Sequence, residues 1–107
     1  MKHTVGNIIE KIKTKADGLL PLNSHIYLYG SRARGDFKET SDWDILIILS
    51  KEKATHEDYD RYAFPFYMLG AELQQIFSPI IYGSEQWKQM SLSPFYENVQ
   101  HDKIVIL

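Results

Sequence analysis

The sequence predicts a small α/β domain in which helices cover a sheet of apolar strands. Three observations predict it. Apolar residues recur at helical spacing near the start of the chain and again after its middle, and short runs rich in β-branched and aromatic residues lie between these patterns. One run, residues 45–49, has five consecutive aliphatic side chains, typical of a strand buried on both faces of a sheet. The length of 107 residues fits one domain, residues 1–107, with any large acceptor supplied from elsewhere.

The first half of the chain contains one predicted helix and two predicted strands. Apolar residues at helical spacing, separated by lysines, predict an amphipathic helix over residues 3–17, with Gly18 as its stop. Residues 25–29, His-Ile-Tyr-Leu-Tyr, form a predicted strand that ends at Gly30. The second predicted strand covers residues 42–49 and includes the aliphatic run.

The second half alternates helical and strand patterns. Residues 56–75 carry apolar side chains at helical spacing, and Pro65 predicts a kink or break near Phe64. A third strand is predicted over residues 76–82, at an edge or a bulge, because Pro79 cannot donate a ladder hydrogen bond. Two short helices and an apolar tail complete the prediction, at residues 84–90, 94–100 and 104–107.

Composition and charge exclude several classes of function. Twelve basic and fourteen acidic side chains give a net charge of −2, which argues against tight nonspecific binding to nucleic acid. No apolar run is long enough to span a membrane, and the polar start lacks the apolar core of a secretory signal, so we expect a cytoplasmic protein. The absence of cysteine excludes thiol chemistry, and the four histidines lack the spacing of zinc ligands.

The segment GSRARGDFKETSDWD, residues 30–44, carries the candidate chemistry. Asp42 and Asp44 lie two residues apart in a predicted strand, so their carboxylates share one face while Trp43 faces away. Converging carboxylates suit magnesium, whose remaining ligands are commonly substrate phosphates and water. Gly30 allows close approach of a ligand to the backbone, and Ser31 offers a hydroxyl and an amide to phosphate oxygens. The segment therefore predicts a metal-triphosphate site.

Each part of this segment also has a purely structural explanation. A Gly-Ser pair after a strand is most often a turn, and aspartates at a strand start are most often solvated or capping residues. The metal interpretation gains weight because Asp44 directly precedes five aliphatic residues, where an ionised carboxylate is costly unless it is paired or bound to a cation. Arg32 and Arg34 are candidate phosphate ligands, and structural pairing with Asp36 or with the two aspartates is an equal alternative.

The block GSRARGDFKETSDWDILIIL resembles the signature of the DNA polymerase β-type nucleotidyltransferase superfamily, in the form found in minimal nucleotidyltransferases: Gly-Ser, a ten-residue gap and Asp-x-Asp. The stretch IIYGSEQWKQMSLSPFYENV is also similar to these small bacterial proteins. The resemblance implies a mixed sheet flanked by helices, like the polymerase β palm. It also implies that Gly30 and Ser31 bind the triphosphate and that Asp42 and Asp44 bind magnesium as catalytic residues.

The resemblance carries expectations about substrate and partner as well. Relatives transfer a nucleotide, usually AMP from ATP, to a hydroxyl on a protein, a small molecule or a nucleic acid. Minimal members commonly act as the antitoxin of a helical HEPN-domain protein. Because 107 residues supply a nucleotide half-site without a second domain to present an acceptor, we expect an oligomer or hetero-complex, with aromatic residues such as Tyr62 and Phe66 lining the contact where they are not core.

One position departs from the family pattern. The third carboxylate usually sits on the next strand, and Ser78 occupies that position here; Glu72, the nearest upstream acid, lies on a predicted helix and is a poor replacement. Two functions stay open: an enzyme that transfers AMP, and a binding module that keeps the nucleotide pocket and occludes a partner. A polymerase-like function is disfavoured by the near-neutral charge and small size.

Overall fold

The structure, a computed structural model that describes residues 3–107, is a four-stranded mixed sheet with helices on both faces. The strands are β1 (His25–Tyr29), β2 (Trp43–Leu49), β3 (Phe77–Gly83) and β4 (Ile104–Val105). They lie in the order β3-β2-β1-β4, with β2 parallel to β3 and with β1 antiparallel to both of its neighbours. The predicted mixed α/β sheet is confirmed.

The predicted helices are present with small shifts at their ends, and one further short helix follows β1. They are α1 (Val5–Ala16), α2 (Ser31–Arg34), α3 (His56–Asp58), α4 (Phe64–Glu72), α5 (Ser84–Gln89) and α6 (Pro94–Asp102), and a π-helical turn (Tyr59–Ala63) joins α3 to α4. Within residues 3–107, none of these helices has the length and apolar content needed to cross a membrane.

Strand β2 is buried on both faces, as its aliphatic run predicts. One face carries Trp43, Ile45, Ile47 and Leu49 and packs in the larger core beneath α1 and α4. The other face carries Leu46 and Ile48 and packs against Trp87 of α5 and Val99 of α6. Because side chains alternate along a strand, Asp42 and Asp44 belong to this second face, at the end where β2 begins.

The helical region after residue 55 continues past Pro65 instead of splitting. In the π-helical turn, the Phe64 N–H donates to the Tyr59 carbonyl, five residues back, and Pro65 enters the first turn of α4. The wider π-helical turn accommodates Pro65. Proline has no backbone N–H, and here that N–H would fall where the α-helical hydrogen-bond pattern is already interrupted. The expected break near Phe64 is therefore a change of helix type.

Helix α4 ends three residues before the predicted end at residue 75. Gln74 has a φ of +57°, and the Gln75 N–H donates back to the Gly70 carbonyl at 2.8 Å, which closes the helix with a left-handed turn. Of the two aromatic residues suggested for a partner contact, Phe66 is fully buried in the core, and Tyr62 is partly buried against it.

The two edges of the sheet are formed by β3 and by β4. Pro79 lies on β3 at one edge, as expected for a proline that cannot donate to a ladder. At the other edge the predicted apolar tail forms β4, which pairs with β1. The Ile106 and Leu107 N–H groups both donate to the Ile26 carbonyl, so this tail is part of the sheet.

Candidate functional site

Three strands bring the candidate carboxylates together at one end of the sheet. Asp44 is opposite Tyr29 of β1 and opposite Ser78 of β3, so these three side chains form a row on one face. Asp42 precedes β2 by one residue and lies two residues before Asp44, on the same side. Trp43 points the other way and is fully buried, as predicted.

Gly30 connects β1 to α2 and sits directly against Asp44. Its φ of +74° and ψ of −160° lie in a region open essentially to glycine alone. A Cβ at this position would overlap Oδ2 of Asp44. The Gly30 carbonyl accepts hydrogen bonds from the N–H groups of Ala33 and Arg34, at 3.1 and 3.0 Å, and so starts the helix. Gly30 therefore allows the Asp44 carboxylate to reach the beginning of α2.

Ser31 is the first residue of α2 and stands beside this carboxylate contact. No side chain caps the helix, and among residues 3–107 the N–H groups of Ser31 and Arg32 have no acceptor. The Ser31 hydroxyl makes no hydrogen bond to any other residue in the part of the chain that the structure describes. These groups are available to an anionic ligand.

Asp44 is a half-buried carboxylate without a hydrogen-bond donor among residues 3–107. Burial raises its pKa, the nearby Asp42 carboxylate raises it further, and the Arg34 guanidinium partly offsets both. A carboxylate in this position is costly to ionise until an opposite charge approaches. It is the kind of group that a divalent cation stabilises.

Ser78 contacts Asp42 directly. Its hydroxyl Oγ donates to Oδ2 of Asp42 at 3.0 Å. No group of three His, Cys, Asp or Glu side chains within residues 3–107 is arranged to hold a metal. Glu72 lines a groove with Lys11 and Lys15 of α1 instead.

The residues present nevertheless fit magnesium. One or two carboxylates commonly suffice for this ion, with substrate phosphates and water as the other ligands. Asp42 and Asp44 would hold it, and Ser78 would orient Asp42.

Arg32 is buried and is engaged with the loop that follows α2. Its Nη2 donates to the carbonyls of Glu39 and Ser41, both at 3.0 Å, and its Nε donates to Ser41 at 3.2 Å. The guanidinium also lies over the rings of Phe37 and Trp43, 4.4 and 4.3 Å from their centroids. Phosphate binding by Arg32 stays a prediction. The structure also gives Arg32 a structural role, but its partners are backbone carbonyls and aromatic rings instead of Asp36 or the two aspartates.

Arg34 is the exposed arginine of the segment and one turn beyond Ser31 on α2. Its Nε is 3.3 Å from the Asp36 carboxylate, which is one of the structural pairings considered above. Its Nη1 donates to Asp102 of α6 at 2.8 Å. Arg34 also lowers the pKa of Asp44, so its charge acts on that carboxylate.

Two residues near the site were not predicted from the sequence. Tyr29 lies across from Asp44, and burial, Asp44 and then Tyr82 raise the pKa of its phenol. Its position directly before Gly30 in an alternating strand was a usable signal. Asp102 has no such signal, because it contacts Arg34 from 68 residues away.

Comparisons with known proteins agree with this architecture. The sequence model of the nucleotidyltransferase domain family matches residues 8–105. The chain is similar in structure to one in the crystal structure of a toxin-antitoxin with AMP-PNP, with a TM-score of 0.67 and 18% identity over 92% of this chain and 72% of that chain. It is also similar to a provisionally assigned nucleotidyltransferase from Sulfolobus solfataricus, with a TM-score of 0.55 and 22% identity over 94% and 80% of the two chains. At these identities the two structures establish a shared fold. Among curated proteins, no sequence matches significantly.

Proposed function

Because the chain belongs to the nucleotidyltransferase domain family, we propose that it transfers AMP from ATP to an acceptor hydroxyl, with Mg²⁺ as cofactor. The observation that carries this proposal is the Asp44 carboxylate, half-buried beside Asp42 and without a protein donor among residues 3–107. Gly30 contacts the Asp44 carboxylate, Ser31 begins α2 directly after it, and Arg34 ends the same helix; we assign triphosphate binding to these three residues. Arg32 supports this site by holding the loop.

The reaction is an in-line displacement at the α-phosphorus. The acceptor oxygen forms a bond to this phosphorus, the bond from the phosphorus to the bridging oxygen breaks, and pyrophosphate leaves. Ser31 and the first amides of α2 hold the terminal phosphates, and Arg34 neutralises part of their charge. Magnesium, when bound by Asp42 and Asp44, supplies electrostatic stabilisation of the developing charge. The acceptor proton passes to solvent.

A second function is favoured by Ser78. This residue is opposite Asp44 and donates its hydroxyl to Asp42, where relatives place a carboxylate. A serine hydroxyl does not accept a proton at neutral pH as an aspartate does. The alternative is a module that binds nucleotide, turns over slowly and acts by occluding its partner.

Calorimetry tests the metal-nucleotide site. We expect wild type to bind ATP much more tightly in Mg²⁺ than in EDTA, and the Asp42→Asn, Asp44→Asn double variant to lose this difference. The matched control is Asp17→Asn with Asp60→Asn, which removes the same charge from two exposed positions. Equal magnesium-dependent affinity in wild type and the site variant would show that the metal assignment is wrong.

Substitution of Ser78 separates the enzyme from the binding module. General-base contributions are typically about 10²–10⁴-fold, so Ser78→Asp is expected to raise AMP transfer within that range while changing ATP affinity much less. Transfer is measured beside a melting curve, because a third carboxylate near Asp42 and Asp44 adds repulsion to the metal-free fold. A folded variant without a gain, combined with rapid turnover by wild type, refutes the role of Ser78.

The acceptor hydroxyl belongs, in this proposal, to a partner protein of the HEPN class. The toxin-antitoxin structure of the same fold supports a protein partner. So does an exposed apolar face on α4, where Phe64, Tyr67 and Met68 share one side of the helix and each remain 45–47% exposed. Phe66, which the sequence suggested for this contact, is fully buried and excluded from it.

Light scattering with and without the partner tests this assembly. A Tyr67→Lys variant is expected to weaken the complex while keeping ATP affinity. A strictly monomeric chain that transfers AMP at full rate to a free small molecule would contradict the proposed partner.

A further inference from the structure

The contact between α6 and α2 involves a carboxylate with no function assigned so far. The Asp102 side chain is only 7% exposed, yet it is charged and belongs to the last residue of α6. Its Oδ2 accepts from Arg34 Nη1 at 2.8 Å, and its Oδ1 lies 3.1 Å from Nδ1 of His101. Burial alone would raise the pKa of Asp102, but the hydrogen bonds from His101 and Arg34 outweigh it and lower the pKa. Asp102 is therefore an anion fixed in place beneath Arg34.

Arg34 keeps most of its donors free despite this contact. A guanidinium has five N–H donors in one plane. Nε is directed to Asp36 and one Nη1 hydrogen to Asp102, and within residues 3–107 the three remaining donors have no acceptor. These free donors lie on the same arginine whose charge reaches Asp44. Ser31 is one helical turn away on α2, so the two side chains share a face.

The two carboxylates that contact Arg34 differ in exposure and in their distance from the guanidinium. Asp36 is 64% exposed and 3.3 Å away, and an exposed ion pair of this kind contributes little. The Asp102 side chain is only 7% exposed and accepts from Arg34 at 2.8 Å, and a charge-assisted hydrogen bond this short is among the stronger ones. The pairing of Arg34 with Asp36 is therefore the weaker of the two contacts.

We propose that Asp102 is a positioning residue that fixes the plane of the Arg34 guanidinium and directs its free donors at the phosphates of the bound nucleotide. This inference rests on the proposed function. A planar fork gains affinity for phosphate oxygens when its orientation is set in advance, because less side-chain freedom is lost on binding. Asp102 acts from another helix, so the end of α6 contributes to the nucleotide site.

A double-mutant cycle on nucleotide affinity tests this role. Affinities for ATP and for adenosine are measured by calorimetry in Mg²⁺ for wild type, Arg34→Ala, Asp102→Asn and the double variant. Loss of a charge-assisted contact should reduce ATP affinity about 10–100-fold in Arg34→Ala. Asp102→Asn should reduce it roughly 3–10-fold, and it should have no further effect once Arg34 is removed. Adenosine affinity should not change.

The controls separate positioning from simple loss of structure. Asp36→Asn, the exposed partner, is expected to change ATP affinity by less than about twofold, below the loss expected for Asp102→Asn. If Asp102→Asn does not fold, the cycle is run with Asp102→Glu, which keeps the charge and displaces the carboxylate by one methylene. Equal losses from Asp102→Asn with and without Arg34 overturn the positioning role alone. A wild-type chain that binds no magnesium-ATP overturns the proposed function, and this inference with it.

Discussion

Replacing Gly30 by alanine tests whether the strand-to-helix turn exists to admit the Asp44 carboxylate. The substitution has two effects, which the structure separates. A non-glycine residue at a φ of +74° and a ψ of −160° costs about 1–3 kcal/mol of backbone strain. The added Cβ also overlaps Oδ2 of Asp44, so the carboxylate must move away from the start of α2.

Gly18 provides the matched control. Its φ of +78° also lies in the left-handed region, but a Cβ there would meet no atom within 4 Å. Gly18→Ala therefore has a comparable backbone cost, about 1–2 kcal/mol, without displacing a carboxylate. Both variants are expected to lose stability in urea unfolding, and Gly30→Ala is expected to lose more because it also displaces the Asp44 carboxylate.

Only Gly30→Ala is expected to lose function beyond its loss of stability. A misplacement near 1 Å can reduce a rate about 10²-fold, so AMP transfer should fall by that order, with a weaker dependence of ATP affinity on Mg²⁺. Transfer assays and calorimetry in Mg²⁺ and in EDTA are performed on both variants at a temperature where both are folded. If the two variants have the same affinity and rate, Gly30 does not position Asp44.

Two further predictions concern the charged residues of the site. Since burial and then Asp42 raise the pKa of Asp44, folding favours its neutral form, and the stability present in acid is lost as pH rises through the raised pKa. Asp44→Asn should therefore raise the Tm of the metal-free protein at pH 7 but not in acid, where both side chains are neutral; equal Tm values at pH 7 would contradict this. Arg32→Lys should lower the free energy of unfolding by roughly 1.5–3 kcal/mol, because lysine cannot reproduce the fork to Glu39 and Ser41. Urea denaturation measures it, and a change below about 0.5 kcal/mol would refute the structural role of Arg32.

Patterns in the sequence correctly predicted the features that depend on residues close together in the chain. The aliphatic run of β2 and its alternation place Asp42 and Asp44 on one face, and the structure has them there. The stacking of Arg32 between Phe37 and Trp43 and the ion pair of Arg34 with Asp102 depend on how distant segments fold together. The spacing of apolar residues along the chain does not predict contacts of this kind.

Strand register is a second limit of local patterns. That Ser78 faces Asp44 follows from the parallel pairing of β2 and β3, and a shift of one residue would turn Ser78 to the opposite face. Strand β4 is only two residues long, too short for alternation to distinguish it from an apolar tail.

The contacts of Arg32 limit how the segment between Ser31 and Asp42 can vary. Its guanidinium binds backbone oxygens of Glu39 and Ser41, which every amino acid provides. The side chains of most of this exposed loop can therefore change without altering that contact. Its length cannot, since one inserted or deleted residue would move both carbonyls and shift Asp42 relative to the start of α2. The ten residues between Ser31 and Asp42 therefore set the distance between the start of α2 and Asp42 through their number, while most of their side chains can vary.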